Sequence, residues 1–257
     1  MIDPAAEGVP TRIMKRPLHS ISGLSGPGAL PENGEDSGFS TLHDQVYQTV
    51  RQALTVGRFA PGRSISLRSL AEALQVGIMP ARDAIRRLSA EHALEVGKNR
   101  RVSVPMMTLA QFDELMKARL LLEPECAARA LPNIDKERLA RIKAHDAAMN
   151  LSYTTGDAEQ YMAANYRFHF EIYRAANSEI LVPLVESIWV RFGPFMRTVY
   201  GIVGTAEITD KHELAIAAIT RGDVEDLKAA ITADIMDGMQ LLGHSIFPIA
   251  ERRSRSR

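Results

Sequence analysis

The spacing of apolar residues changes character along the chain. Leu42, Val46, Val50 and Leu54, with Ala53 beside them, recur at helical intervals; Ser40 or Thr41 is placed to cap this segment and Gly57 to end it. Phe59-Ala60-Pro61-Gly62 is a turn. A second helix is predicted from about Ser66, with Leu67, Leu70, Ala71 and Leu74 on one face, and Val76-Gly77 breaks it. A third follows from about Met79. Pro80 fits its first turn, where a missing N–H costs nothing, and Ala84, Ile85 and Leu88 form its inward stripe. The period then falls to two. Leu94-Glu95-Val96 and Arg101-Val102-Ser103-Val104 alternate around Gly97-Lys98-Asn99, which predicts a short β-hairpin. Pro105 stops it and marks a domain boundary.

Beyond Pro105 the pattern is helical throughout. One amphipathic helix is predicted over Leu109–Leu131, closed by Pro132-Asn133. Others cover roughly 135–152, 157–176, 178–200, 208–221 and 223–243, separated at Gly156-Asp157, Asn177-Ser178 and Gly222-Asp223. Pro183 and Pro194 should start or kink the fourth of these six. Six helices with short links predict an antiparallel bundle over 106–243. Residues 1–40 are rich in Gly, Pro and Ser without any period, the signature of a disordered leader. Residues 244–257 form a basic tail that ends in ERRSRSR and should fray.

Composition adds limits. A chain of 257 residues holds one or two domains. With 46% hydrophobic and 24% charged residues it can build an ordinary globular core. No apolar run approaches the roughly 20 residues of a membrane helix, and the first residues lack an apolar stretch of signal-peptide length. The single cysteine, Cys126, excludes an internal disulfide framework and a multi-cysteine zinc site, so a reducing cytoplasm is the expected compartment. Net charge is zero, but unevenly spread. Residues 41–105 carry ten basic and five acidic side chains, whereas 106–250 carry 14 basic and 20 acidic. Only the first module is suited to meet a polyanion.

Three helices followed by a hairpin, with a tight turn between the second and third, make a winged helix-turn-helix. Its third helix must enter a major groove about 12 Å wide and present polar side chains to base edges. Here that helix offers Met79, Arg82, Arg86 and Arg87 away from its apolar stripe. The second helix offers Arg68, and the hairpin tip Lys98, Asn99 and Arg100. Lys and Arg at phosphates add a salt-dependent, sequence-independent attraction, and groove contacts add readout.

Residues 41–105 also resemble the DNA-binding domain of GntR-family transcription regulators. The resemblance lies in Leu42, Val46-Tyr47, Gly57 to Gly62, Leu70-Ala71, Leu74-Gln75-Val76 and Pro80-Ala-Arg-Asp-Ala-Ile-Arg-Arg-Leu88. It implies operator binding through Arg68, Arg82 and the wing. One departure stands out. The family usually places Ser-Arg before the recognition helix, and that Arg often reads a base; here the pair is Gly77-Ile78. Ile78 cannot donate a hydrogen bond, which implies an atypical operator or a weaker one.

In the helical half, Asn165 and His169 lie four residues apart and so share a helix face. His212 opens a later helix and Asp234 lies inside the last. Three helices of a bundle can bring such N and O donors to one point, as a divalent cation requires. A satisfied core histidine is the simpler explanation of any one of them. Residues 108–243 resemble the FCD effector domain of the FadR-type subgroup, through Arg119-Leu-Leu-Leu-Glu-Pro124, Phe168-His169, Ala176-Asn177, and His212 with Ile216, Ile219, Gly222-Asp223 and Ala230. In that subgroup an Asp and three His commonly hold a metal, and a small carboxylate binds at or beside it. The resemblance carries this role to Asn165, where Asp is usual, to His169 and His212, and to Asp234, where His is usual. Exchanging a nitrogen for a hard oxygen tilts the site toward Mn²⁺, Mg²⁺ or weakly held Zn²⁺ or Ni²⁺. The alternative is that the same four side chains form the polar floor of a metal-free effector pocket. Arg119, on an otherwise apolar helix face, is a candidate for an effector carboxylate, or else pairs with Glu123 or Glu125. Arg191 and Arg197, near Trp189 and Phe195, are weaker candidates, more simply explained as a solvated helix face.

The expected function is therefore that of a DNA-binding transcription regulator whose affinity answers to a small organic acid. Two-fold symmetry suits palindromic operators, so a homodimer is expected. Repression is the commoner behaviour in the resembled family. Alternatives are a regulator in which the ion itself is the signal, or a metal-dependent enzyme with an accessory DNA-binding module. Against an enzyme, no nucleophile–base pair, zincin motif or phosphate loop appears in the sequence.

Overall fold

The computed structural model describes residues 41–97, 101–203 and 211–247. Its fold is mainly α. The N-terminal module contains α1 (Leu42–Thr55), β1 (Ser64–Ser66), α2 (Leu67–Ala73), α3 (Ile78–Ala90), β2 (Glu95–Val96) and β3 (Arg101–Ser103). The helices start where the local chemistry places them. Thr41 Oγ1 accepts from the Asp44 amide at 3.2 Å, and Ser66 Oγ from the Ser69 amide at 3.0 Å. Gly57 takes the left-handed conformation (φ +73°) that ends α1. Val46, Val50, Leu54, Leu70, Ala84 and Leu88 close the core between the three helices.

Two boundaries differ from the sequence expectation. α3 begins at Ile78 with Gly77 as its cap, so Pro80 is its third residue. The wing is a three-stranded antiparallel sheet of order β1-β3-β2 rather than a lone hairpin. β1 pairs Ser64 with Ser103 and Ser66 with Arg101, tying the start of α2 to the wing.

The second module consists of α4 (Leu109–Ala130), α5 (Lys136–Thr155), α6 (Ala158–Tyr173), α7 (Leu181–Val203), α8 (His212–Arg221) and α9 (Val224–Ile246). α4 opens with a capping box. Thr108 Oγ1 accepts from the Gln111 amide, and Gln111 Oε1 accepts from the Thr108 amide at 2.9 Å. α4 packs on α9 and α7, while α5 packs on α6 and α8. Phe168, Phe170, Tyr173, Trp189 and Phe192 fill the interior.

The modules are joined face to face, because α1 also packs on α7. Arg51 of α1 reaches Glu186 of α7 at 3.1 Å, and Arg58 reaches Glu159 of α6 at 2.6 Å. No helix among the described residues is long and apolar enough to cross a membrane.

Candidate DNA-contacting face and ligand site

α3 buries Ala81, Ala84, Ile85 and Leu88 and exposes Ile78, Met79, Arg82 and Arg86. Arg82 Nη1 lies 3.9 Å from Met79 Sδ. Arg86 is exposed and pairs with Asp83 at 2.8 Å, one turn back. Arg68 on α2 is exposed and pairs with Glu72 at 3.1 Å. Such surface pairs contribute little and exchange readily for a phosphate. Arg87 is a correction. Sequence spacing assigned it to the outward face, but it folds back onto α1, 2.7 Å from Asp44 Oδ1 and 3.7 Å above the Tyr47 ring. That hydrogen bond, with one from Thr41, holds the Asp44 carboxyl below the usual range. Arg87 therefore fixes α3 to α1. Lys98, Asn99 and Arg100 lie outside the described residues.

In the helical module, His169 of α6, His212 at the start of α8 and Asp234 of α9 converge. Their donor atoms all lie within 4.8 Å of one another. Asp234 stands between the imidazoles, with Oδ2 at 3.3 Å from His169 Nε2 and Oδ1 at 3.4 Å from His212 Nε2. Burial pushes the Asp234 carboxyl up, but the facing His212 and His169, with Arg119 beyond, bring it well below the carboxylate range. Asn165 is buried one turn before His169 on the same helix.

The structure adds supporting residues. Tyr173, one turn after His169, donates to Glu123 Oε2 at 2.8 Å, and its oxygen lies 3.2 Å from His169 Nδ1. Burial and the charge of Glu123 keep the Tyr173 phenol protonated, far above its ordinary range. Since its proton goes to Glu123, its oxygen accepts from His169 Nδ1–H. This network places a proton on Nδ1 and leaves Nε2 to face the Asp234 carboxylate. Nε2 is buried and makes no hydrogen bond of good geometry. A lone pair 3.3 Å from an anionic oxygen is stable only with positive charge at the site, from a proton or a cation. Two imidazoles and a carboxylate, one imidazole oriented by an outer hydrogen bond, form a donor set that fits a divalent cation. Asp146 of α5 also approaches this site, 3.7 Å from His212 Nδ1.

Arg119 is 3% exposed and donates to the fully buried Glu123 at 2.6 Å. Its guanidinium also lies 5.0 Å from the Trp189 ring and 4.5 Å from the Phe192 ring. It thus stands behind Tyr173 and His169 with one carboxylate already engaged. Arg191 is half-buried on α7; the side chain of Arg197 lies outside the described residues. Sequence reasoning missed Asp146 and Tyr173, although the four-residue step from His169 to Tyr173 was available as a signal. A separate groove of about 420 Å³ runs between α4 and α9, lined by Phe112, Met116, Met236 and Met239 among others, and none of the His-His-Asp set lines it.

A winged helix-turn-helix seated on an all-helical module defines a class of bacterial transcription regulators. Residues 42–104 match the family model of bacterial regulatory proteins of the gntR family, and residues 114–236 that of the FCD domain. The HTH-type transcriptional regulator McbR of Escherichia coli K12 is 31% identical over 195 residues, 75% of this chain and 88% of the relative. The solved structure of E. coli McbR/YncC matches with a TM-score of 0.75 and 29% identity over 79% of this chain and 98% of that one. The structure of a GntR transcriptional regulator from Rhodococcus sp. RHA1 shares the fold, with a TM-score of 0.63 at 22% identity over 80% of this chain and 99% of that one. The chain belongs to the GntR family of transcriptional regulators, in the branch with an FCD domain.

Proposed function

We propose that this regulator is a homodimer that binds a palindromic operator as a repressor, and that a small carboxylate received in the helical module changes its DNA affinity. Arg68, Met79, Arg82 and Arg86 contact the DNA, together with Lys98, Asn99 and Arg100 of the wing. His169, His212 and Asp234, with Asn165 beside them, hold a divalent cation. When bound, that cation would supply positive charge to attract an organic acid. The chain's own residues do the rest. Tyr173 and Glu123 orient His169, Arg119 offsets the acidic surroundings, and Phe168 and Trp189 exclude water. Arg119 and Arg191 are the candidate partners of the effector carboxylate.

The observation that carries this reading is the convergence of His169, His212 and Asp234, whose donor atoms lie within 4.8 Å of one another, while His169 Nδ1 is committed to Tyr173. It is tested with the full-length protein, stripped by chelation and titrated with Mn²⁺, Ni²⁺ and Zn²⁺ by calorimetry. Stoichiometric binding that His212→Ala abolishes supports the site; indifference to all three ions overturns it. DNA affinity is read by fluorescence anisotropy on the protein's own upstream DNA and on scrambled DNA, at two salt concentrations, against a panel of organic acids. Arg82→Ala should weaken specific binding by about 1–3 kcal/mol and leave ion binding intact. Unchanged DNA affinity in that variant would remove Arg82 from the interface.

A further inference from the structure

The face of α3 that remains free after the core is built carries two large apolar side chains. Ile78 is 41% exposed and Met79 60% exposed. They are the first two residues of the helix, and Gly77 before them offers no side chain. At 3.6 residues per turn, Ile78 lies one turn from Arg82, and Met79 lies two turns from Arg86. The outward stripe of α3 is thus apolar at its N-terminal end and cationic further along. Arg82 Nη1 rests 3.9 Å from Met79 Sδ, where the two halves meet. The buried residues of α3 lie on the opposite side, so neither Ile78 nor Met79 serves the core of its own module.

An exposed apolar pair beside exposed arginines needs an occupant that is polyanionic and locally apolar. The major groove of DNA meets both demands. Its edges are phosphates, and its floor carries one apolar group, the C5-methyl of thymine. The first residues of a recognition helix are those that reach base edges. We infer that Ile78 and Met79 read thymine methyl groups, so that the operator half-site carries T·A pairs where they dock. The inference rests on the DNA-binding reading above and adds the chemistry of the bases selected.

Deoxyuridine tests it directly, because it pairs as thymidine does and lacks only the methyl group. Duplexes are selected from a random pool with the full-length protein. Each thymidine of the selected half-site is then replaced in turn by deoxyuridine. The wild-type protein should lose about four-fold in affinity per contacted methyl, the factor that burial of one methyl group implies. The loss should occur at one or two positions per half-site. Ile78→Ala and Met79→Ala alter exposed side chains, and each should erase the thymidine–deoxyuridine difference at its own position. Equal affinity for all substituted duplexes, or a methyl effect that survives in both variants, overturns methyl readout while specific DNA binding stands. A pool that yields no preferred duplex overturns the DNA-binding reading and this inference with it.

Discussion

Gly193 of α7 faces the backbone of Thr55 so closely that a Cβ there would lie 2.2 Å from the Thr55 carbonyl oxygen and 2.6 Å from that of Leu54. Glycine is required because the last turn of α1 presses directly on the α7 backbone. The same stretch of α7 carries Trp189, beside His169, and Phe192, beside Arg119. Within little more than a turn, one helix wall passes from the His-His-Asp cluster to the DNA-binding module.

Gly193→Ala should therefore destabilise the protein, although alanine in place of glycine favours an isolated helix by about 1 kcal/mol. Neither partner is a flexible side chain, so the two helices must separate, at a net cost of about 1–3 kcal/mol. Urea unfolding measures this. A variant more stable than the parent would show that the seam between the modules is loose.

Arg51 sits between Glu186 of α7 at 3.1 Å and Glu91, just after α3, at 3.6 Å. Glu186 also holds Arg174 at 3.1 Å, and Glu91 accepts a short hydrogen bond from Tyr47. These groups form a continuous, half-buried charged chain from the end of the recognition helix to the helical module. A double-mutant cycle on Arg51→Met and Glu186→Gln should give a coupling of about 1 kcal/mol in chemical unfolding. Strict additivity would mean that the pair does not join the modules.

Tyr173→Phe removes the hydroxyl between Glu123 and His169. The chain should still fold, losing about 1.5–3 kcal/mol for the hydrogen bond to charged Glu123, whose Oε2 keeps only the 3.4 Å contact from Arg119 Nη2. The orientation of His169 is lost as well, and Ni²⁺ or Mn²⁺ affinity should fall about 10–100-fold. Calorimetry of the variant decides the matter. Unchanged affinity would show that Tyr173 only fills space.

Cys126 is fully buried, and its Sγ lies 3.5 Å from the Tyr173 carbonyl oxygen. Burial, with the nearby Glu123 charge, pushes its thiol from 9.0 up to about 11. The folded state thus favours the neutral thiol. The stabilisation is complete below pH 9 and is lost as pH rises through 11. Ellman's reagent at pH 8 should react fully in denaturant and barely at all with the native protein. Rapid native reaction would place the thiol at the surface.

What the sequence revealed divides along the range of the interactions. Caps such as Thr41 and Ser66 and stripes such as Ala84-Ile85-Leu88 act within a turn or two, and the helices they define appear where the spacing put them. β1 was not legible, because its three residues are held by a partner about 37 positions later and carry only Ile65 as an apolar signal. The inward turn of Arg87 depends on Asp44 and Tyr47, which the chain pattern cannot place opposite it. At the His-His-Asp cluster, His169, His212 and Asp234 were singled out by the resemblance to the FCD domain, since residue type and helix position alone favoured satisfied core histidines. Asp146 was not, because its proximity to His212 comes from the packing of α5 on α8.

Trp189 is the only tryptophan in the chain. Its ring centroid lies 5.2 Å from that of His169 and 5.0 Å from the Arg119 guanidinium carbon. The molecule thus carries its single indole fluorophore at the proposed binding site and no tryptophan in the DNA-binding module. Its emission reports on that site without a label. A paramagnetic ion held by His169 would quench it, and an organic acid arriving near Arg119 would shift its colour, whether or not DNA is present.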